Sequence, residues 1–172
     1  AYAAAANCAP SRASLMTGLN TPRHGIYTVQ NSDRGDARLR RIIPTTNRRT
    51  LPDTLQTLAH LFKRAGYVTA TMGKWHLSED PSLQGFDISI AGDQRGNPGR
   101  NGYWSPYNKL PGLLEAPPDE YLTDRLTNEA ISFVHEHHDR PFFLYLPFYT
   151  VHTPLIGKPD LVEKYQSMRG VE

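Results

Sequence analysis

The chain is poor in cysteine, in long apolar runs and in net charge, and each shortage excludes a class of protein. It has one cysteine among 172 residues, which excludes an internal disulfide framework. No apolar run reaches the length that crosses a membrane, so we expect no membrane span. The formal net charge is only +2, which gives no electrostatic reason to expect a nucleic-acid partner. The length is that of about one domain, so any function must be sought in local motifs.

The segment between Asn20 and Thr50 is polar and rich in arginine. No aromatic residues are interleaved with its arginines and no recognised binding motif accompanies them, which favours a solvated loop over a nucleic-acid patch. His24 lies near the start of this segment. Two interpretations of it stay open, a pocket-lining group or a structural histidine, and the local pattern favours the structural one. The arginines are at positions 34, 38, 40, 41, 48 and 49.

A helix followed by a strand is predicted twice along the chain. Apolar residues at helical spacing predict a helix over about 52–65, and a β-branched run predicts a strand over 67–72. The same order returns as a helix over about 121–138 and an apolar run over 142–146, which suits a strand buried on both faces. Helix and strand in alternation predict an α/β fold with a parallel sheet.

The only cysteine lies in an unusual stretch, residues 7–18. Pro10 suits the first turn of a helix and Gly18 suits its end, so we expect a short helix between them. Cys8 would then lie just before a helix N-terminus, where free N–H groups favour an anion. Arg12 adds a forked positive charge that suits oxyanions. The stretch predicts a reactive side chain within an anion site.

Two other interpretations of Cys8 are less favoured. A cysteine loop of the tyrosine-phosphatase type needs an arginine six positions after the cysteine, and that position is Ser14. A lone cysteine is often a small buried apolar residue, but few such residues lie in so specific a frame.

Two strings of residues resemble the signatures of the type I sulfatases. The first is Cys-x-Pro-Ser-Arg from Cys8, followed by Met-Thr-Gly from Met16. The second is Gly-Tyr-Val-Thr from Gly66, followed by Gly-Lys-Trp-His from Gly73. They occur in the family's order. The resemblance implies a three-layer α/β/α sheet of the alkaline-phosphatase type, here as part of a domain.

The resemblance also implies a modified residue. In this family Cys8 would be oxidised to formylglycine by a maturation enzyme that recognises Cys8, Pro10 and Arg12. The hydrated aldehyde attacks sulfur with one hydroxyl, and loss of the proton from the other expels sulfate, which is covalent catalysis in two steps.

Carried over position by position, the resemblance assigns the remaining catalytic roles. Arg12 would hold the hydrate and balance nearby charge, and Lys74 would bind a sulfate oxygen. His76 would contact the diol and accept its proton. His152, which matches the family pattern less strictly, would bind the sulfate ester and assist the leaving oxygen.

Topology gives independent support for a common site. Ligands of open α/β sheets bind beyond the carboxyl ends of the strands. Lys74 and His76 follow one predicted strand and His152 follows another, so these groups and Cys8 are expected at one edge. Lysine and arginine suit the charge of sulfate, and histidines suit proton transfer.

A divalent cation, usually calcium, is also implied by the resemblance, with the formylglycine from Cys8 as one ligand. The family's other ligands are an aspartate pair before the cysteine and an Asp-Asn pair well after His152. No acidic residue precedes Cys8, and the sequence stops soon after Tyr165. We therefore expect residues 1–172 to be an incomplete N-terminal catalytic domain of a sulfatase, inactive by itself.

The segment from Ser78 to Glu120 shows no sustained period and is rich in Gly, Pro, Asn and Tyr. Loops of this length are functional or disordered. Aromatic residues such as Tyr103, Trp104 and Tyr107 would suit stacking on sugar rings, which predicts a substrate rim, with a flexible surface loop as the alternative.

The resemblance implies a sulfatase that cleaves sulfate esters of carbohydrates or aryl alcohols. The expected partners are the sulfated substrate and the maturation enzyme. Two alternatives stay open: a phosphoester or phosphonate hydrolase of the same superfamily, and a non-catalytic binding protein that keeps Cys8 as a thiol. Such sulfatases are periplasmic, secreted or lysosomal, and the residues do not select among these locations.

Overall fold

A three-stranded parallel sheet forms the centre of the molecule. The computed structural model describes residues 2–113, 116–168 and 170. The strands are β1 (Val68–Met72), β2 (Ile88–Ile90) and β3 (Phe142–Tyr145), in the order β2-β1-β3. Both neighbours run parallel to β1, which confirms the predicted α/β fold with a parallel sheet.

Helices cover both faces of this sheet. On one face, Leu126 and Phe133 of the long helix pack with Ala70 and Met72 of β1. On the other face, the helix over residues 8–17 packs with Trp75 and Phe86. The β3 residues Phe143 and Tyr145 pack against the same cluster. Three layers result, as predicted. None of the helices in the described part of the chain is long and apolar enough to span a membrane. The helices are α1 (Cys8–Thr17), α2 (Thr21–His24), α3 (Leu58–Arg64), α4 (Leu122–His137) and α5 (Pro159–Gln166).

The predicted ranges of α4 and β1 agree with the structure to within one residue at each end. The predicted start of α3 is wrong. The helix begins at Leu58 rather than at 52 because Thr57 caps it. The Thr57 hydroxyl accepts a hydrogen bond from the His60 N–H at 3.3 Å, and the Thr57 N–H donates to His60 Nδ1 at 3.2 Å. This reciprocal cap fixes the N-terminus. Leu51 instead donates its N–H to the Leu77 carbonyl at 2.7 Å.

The strand β3 is one residue shorter than predicted, and its burial differs from the prediction. It was expected to be buried on both faces. Its residues are half-buried, although Phe142 and Leu144 contact one apolar cluster and Phe143 and Tyr145 contact the other. The cause is its position at the edge of the described sheet, where only β1 pairs with it.

The described residues between Ser78 and Glu120 are not all irregular. They include β2, which was not predicted, because three residues are too short to show a period. Two of the aromatic residues predicted for a substrate rim, Tyr103 and Tyr107, are instead fully buried in the core. Trp104 is half-buried and packs on Tyr121 with ring centroids 5.0 Å apart. Burial leaves Tyr103 and Tyr107 no ring face for a sugar.

The arginine-rich segment is mainly irregular, as predicted for a solvated loop, with α2 near its start. His24 ends α2 and is fully buried. Its Nδ1 accepts a hydrogen bond from the Ile26 N–H at 3.1 Å, and its Nε2 lies 3.0 Å from Ser14 Oγ. These contacts confirm the structural interpretation of His24.

Candidate active site

The carboxyl ends of the three strands meet at one edge of the sheet. Lys74 and His76 follow β1, Asp93 follows β2 and His152 follows β3. Two backbone hydrogen bonds join these segments: Lys74 N–H to the Pro147 carbonyl and His76 N–H to the Asp93 carbonyl, both 2.8 Å. The sheet therefore brings together groups that are far apart in sequence.

Cys8 is the first residue of α1, which begins two residues before the predicted start at Pro10. Asn7 is the N-cap residue, and its side chain makes no capping hydrogen bond. The first amide groups of α1 therefore keep their positive character towards the site. The Cys8 sulfur lies 3.4 Å from His76 Nδ1. A residue at position 8 thus faces both a helix start and an imidazole.

His76 is held in a left-handed backbone conformation, with φ of 65°. The side chain is nearly buried, and burial lowers its pKa to about 4, with further contributions from the charges of Lys74, Arg12, His152 and Arg49. The imidazole is therefore neutral near neutral pH. A neutral imidazole at this position can accept a proton from a group bound to residue 8.

Arg12 is held by two acceptors from other elements. Its Nη1 donates to the Lys74 carbonyl at 2.6 Å and to the Tyr145 hydroxyl at 3.0 Å. Tyr145 is at the end of β3, so one guanidinium links α1 to the ends of two strands. The positive charge beside Cys8 is thereby fixed in place.

Lys74 has a buried side chain beside Cys8. Burial lowers the pKa of Lys74, Cys8 opposes that shift, and the charge of Arg12 adds to it. A buried ammonium without a neighbouring anion is costly, so this position favours an anionic ligand.

His152 is half-buried at the opening of the same cleft. Its Nδ1 lies 2.7 Å from the Thr153 carbonyl, which only accepts, so Nδ1 carries a proton. Nε2 is therefore the nitrogen left for a ligand.

An open cleft of about 670 Å³ lies over Cys8. The structure brings three predicted site residues, Cys8, His76 and His152, to its walls, with Lys74 and Arg12 beside them. Their chemical roles stay predictions. Several lining residues were not identified from the sequence. Residues 93–97 follow the end of β2, so a prediction of that strand would have placed them at the same edge of the sheet. The lining residues not predicted as site residues are Val29, Gln30, Arg49, Glu79, Asp93, Gln94, Arg95, Gly96 and Asn97.

A calcium site cannot be built from the described residues alone. In residues 2–113, 116–168 and 170, no three His, Cys, Asp or Glu side chains are close enough to hold a metal ion. Asp93, a carboxylate that lines the cleft with His76, is already bound by Arg95, whose Nε donates to it at 2.6 Å. A hard cation needs several oxygen ligands, which this part of the chain does not gather.

Comparison with known proteins identifies relatives of this arrangement. The family model described as Sulfatase matches residues 1–171. Human N-acetylgalactosamine-6-sulfatase is 32% identical over 182 residues, which cover 93% of this chain and 33% of the relative. Rat arylsulfatase G is 32% identical over 204 residues, which cover 98% of this chain and 36% of the relative. The chain thus spans about a third of the length of these relatives.

Solved structures give the same result for the fold. The structure of Ps i-CgsB in complex with k-i-k-neocarrahexaose matches with a TM-score of 0.69 at 25% identity, over 98% of this chain and 40% of the other. The phosphonate monoester hydrolase of Agrobacterium radiobacter matches with a TM-score of 0.56 at 20% identity, over 91% of this chain and 34% of the other, which shows the fold alone.

Proposed function

Because the chain belongs to the sulfatase family, we propose that it carries the central part of an active site that hydrolyses sulfate esters through a formylglycine made from Cys8. The observation that carries this proposal is the contact of the Cys8 sulfur with His76 Nδ1, 3.4 Å away, at the base of an open cleft. A side chain here is within reach of both a base and a ligand.

The surroundings of residue 8 fit a hydrated aldehyde. When present, that group supplies an oxygen nucleophile and a second hydroxyl that can release sulfate. Arg12 and Lys74 provide positive charge beside it, and the start of α1 provides backbone N–H donors. In a partly buried site, fixed charges and dipoles stabilise developing negative charge strongly.

Proton transfer in this proposal depends on the two histidines. His76 is neutral above its pKa of about 4, so it is free to take a proton from the group at position 8. His152 lines the same cleft, and its Nε2 is the nitrogen not engaged by the Thr153 carbonyl, so in this proposal it assists the oxygen that leaves with the alcohol. Lys74 and His152 together would bind the sulfate ester.

We also propose that calcium binds near Cys8, with its other ligands outside residues 1–172. The family implies this cation, but the described residues do not fit a metal site, so no step above depends on it. The chain would then be the middle part of a larger catalytic domain, in keeping with its match to about a third of its relatives.

The substrate is proposed to be a carbohydrate or aryl sulfate. The names of the relatives support both classes: one relative is an N-acetylgalactosamine-6-sulfatase, another is an arylsulfatase, and a matched structure holds an oligosaccharide. The partly open cleft has room for a substituent beyond the ester itself.

Turnover of matched esters tests the proposed reaction. The full-length gene product, produced with the maturation enzyme and supplied with calcium, is given 4-nitrophenyl sulfate and 4-nitrophenyl phosphate at equal concentration. We expect sulfate release to dominate. Faster phosphate release would favour the phosphoester hydrolase alternative, and no turnover of either ester would favour a binding protein.

A further inference from the structure

Arg49 differs from the other cations at the cleft because its charge has no partner. It is exposed, it lines the cleft over Cys8, and its backbone carbonyl is held by Gln94 Nε2 at 2.8 Å. Among the described residues, no hydrogen bond or ion pair engages its guanidinium. The backbone is therefore anchored while the charged group remains free for a ligand.

Arg95 in the same cleft shows the contrast. Its Nε donates to Asp93 at 2.6 Å, its Nη1 to the Asn108 carbonyl at 2.8 Å and its Nη2 to the Lys109 carbonyl at 3.0 Å. These contacts occupy its donors within the protein. The Glu79 carboxylate lies on this side of the cleft, where its charge adds to the raised pKa of Arg95. Arg95 is a structural cation, whereas Arg49 is available.

The cleft continues beyond Arg49. A second cavity of about 430 Å³ shares Gln30 and Arg49 with the first and extends to Arg34. Among the residues that the structure describes, Asp33 is the one acidic residue lining this cavity, and it is paired with Arg40 at 3.2 Å. A groove therefore leads from Cys8 past Arg49 towards Arg34, and its far part carries a net positive charge.

We propose that Arg49 is a specificity residue that binds a second anionic group of the substrate, a sulfate or carboxylate other than the ester that is cleaved. This inference rests on the proposed function and names its substrate class: a saccharide with more than one anionic group. Guanidinium binds sulfate and carboxylate through paired N–H donors, so a free arginine in the wall of the same cleft as Cys8 selects for substrates with more than one anionic group.

Direct binding tests the role of Arg49 without turnover. Calorimetry is carried out on the full-length gene product with Cys8→Ala, so that sugar is not consumed, using N-acetylgalactosamine 6-sulfate and N-acetylgalactosamine 4,6-disulfate. We expect the disulfate to bind about ten-fold more tightly, as one additional charge-assisted contact would give. Adding Arg49→Ala should remove this preference while leaving the affinity for the monosulfate unchanged.

Arg41→Ala is the matched control, since Arg41 is an exposed arginine of the same segment that does not line the cleft. It should leave both affinities unchanged, and circular dichroism should show the same helix content in all variants. The proposal would be overturned if the two sugars bind equally well before Arg49 is replaced, or if neither binds. It would also be overturned if Arg49→Ala weakens the binding of both sugars equally. Because no turnover is needed, a failed ester assay and a failed Arg49 test are distinguishable.

Discussion

At the residue scale, the imidazole of His76 is packed against a glycine that sequence reasoning did not identify. A Cβ added to Gly96 would lie 2.5 Å from His76 Cε1 and 2.9 Å from Nδ1. Real Cβ atoms do not approach so closely, so the loop after β2 can cover the imidazole only because position 96 is glycine. The imidazole that faces Cys8 is therefore positioned by the backbone of the loop that follows β2.

Gly96→Ala should therefore reduce activity by moving the imidazole of His76. We expect kcat/KM for 4-nitrophenyl sulfate to fall by about ten-fold or more, since small displacements of a catalytic group have large kinetic effects. Gly157→Ala is the control, because its added Cβ meets only a Val162 methyl at 3.0 Å. Unchanged kinetics in Gly96→Ala would contradict the positioning of His76 by Gly96.

His24 gives a prediction for stability against pH. Burial lowers its pKa below the ordinary 6.5, so the native state keeps the ring neutral where the unfolded state is protonated. The contribution of His24 to the free energy of unfolding should then be complete above about pH 6.5 and be lost as pH decreases below it. His24→Gln should lose less stability between pH 7 and pH 5 than the parent, as measured by urea unfolding of the full-length gene product. Parallel losses in the two proteins would show that His24 does not contribute to the pH dependence.

At the element scale, the ends of β1 and β3 are in contact through a glycine. A Cβ on Gly73 would lie 2.3 Å from the Pro147 carbonyl oxygen, and the residue has a φ of +118°. The hydrogen bond from Lys74 N–H to the same carbonyl requires this approach. The edge on which the cleft is built thus depends on one close backbone contact.

Gly73→Ala should destabilise the protein more than Gly66→Ala does. Both glycines have positive φ, but a Cβ on Gly66 meets nothing within 4 Å. We expect Gly66→Ala to cost about 1 kcal/mol from backbone strain. Gly73→Ala should cost about 2 kcal/mol or more beyond that, because backbone must move. Equal urea midpoints for the two variants would be evidence against the close contact of the strand ends.

Elements with a clear period were predictable from the sequence, and others were not. The strand β1 and the helix α4 carry enough apolar residues in register to be identified. The start of α3 was missed because apolar spacing continues back to Leu51, whereas the cap at Thr57 decides the boundary. The three residues of β2 carry no period. Tyr103 and Tyr107 were assigned to a rim because an aromatic residue in an irregular segment gives no sign of its burial.

The candidate site was predictable where a motif or a strand end marks it. Cys8, Lys74 and His76 lie in such positions, and the structure brings them together. Tyr145 and Gly96 were missed because their importance lies in contacts with Arg12 and His76, which are distant in sequence. No local pattern encodes such contacts.

At the scale of the whole molecule, the chain covers about a third of its curated relatives. We expect the isolated 172-residue chain to release no sulfate from 4-nitrophenyl sulfate above background, even with the maturation enzyme and calcium supplied. The physical reason is that the described residues do not gather a cation site. The full-length gene product, assayed in parallel, is the control. Turnover by the isolated chain at ordinary enzyme rates would contradict the proposed division of the site.

The most direct measurement of the proposed chemistry compares the aldehyde content at position 8 with activity. The tryptic peptide that ends at Arg12 is quantified by mass spectrometry in preparations of the full-length gene product made with increasing amounts of maturation enzyme. Activity on 4-nitrophenyl sulfate should rise in proportion to the aldehyde fraction, and Cys8→Ala should have none. Full activity in preparations that contain only the thiol, or in Cys8→Ala, would contradict the account.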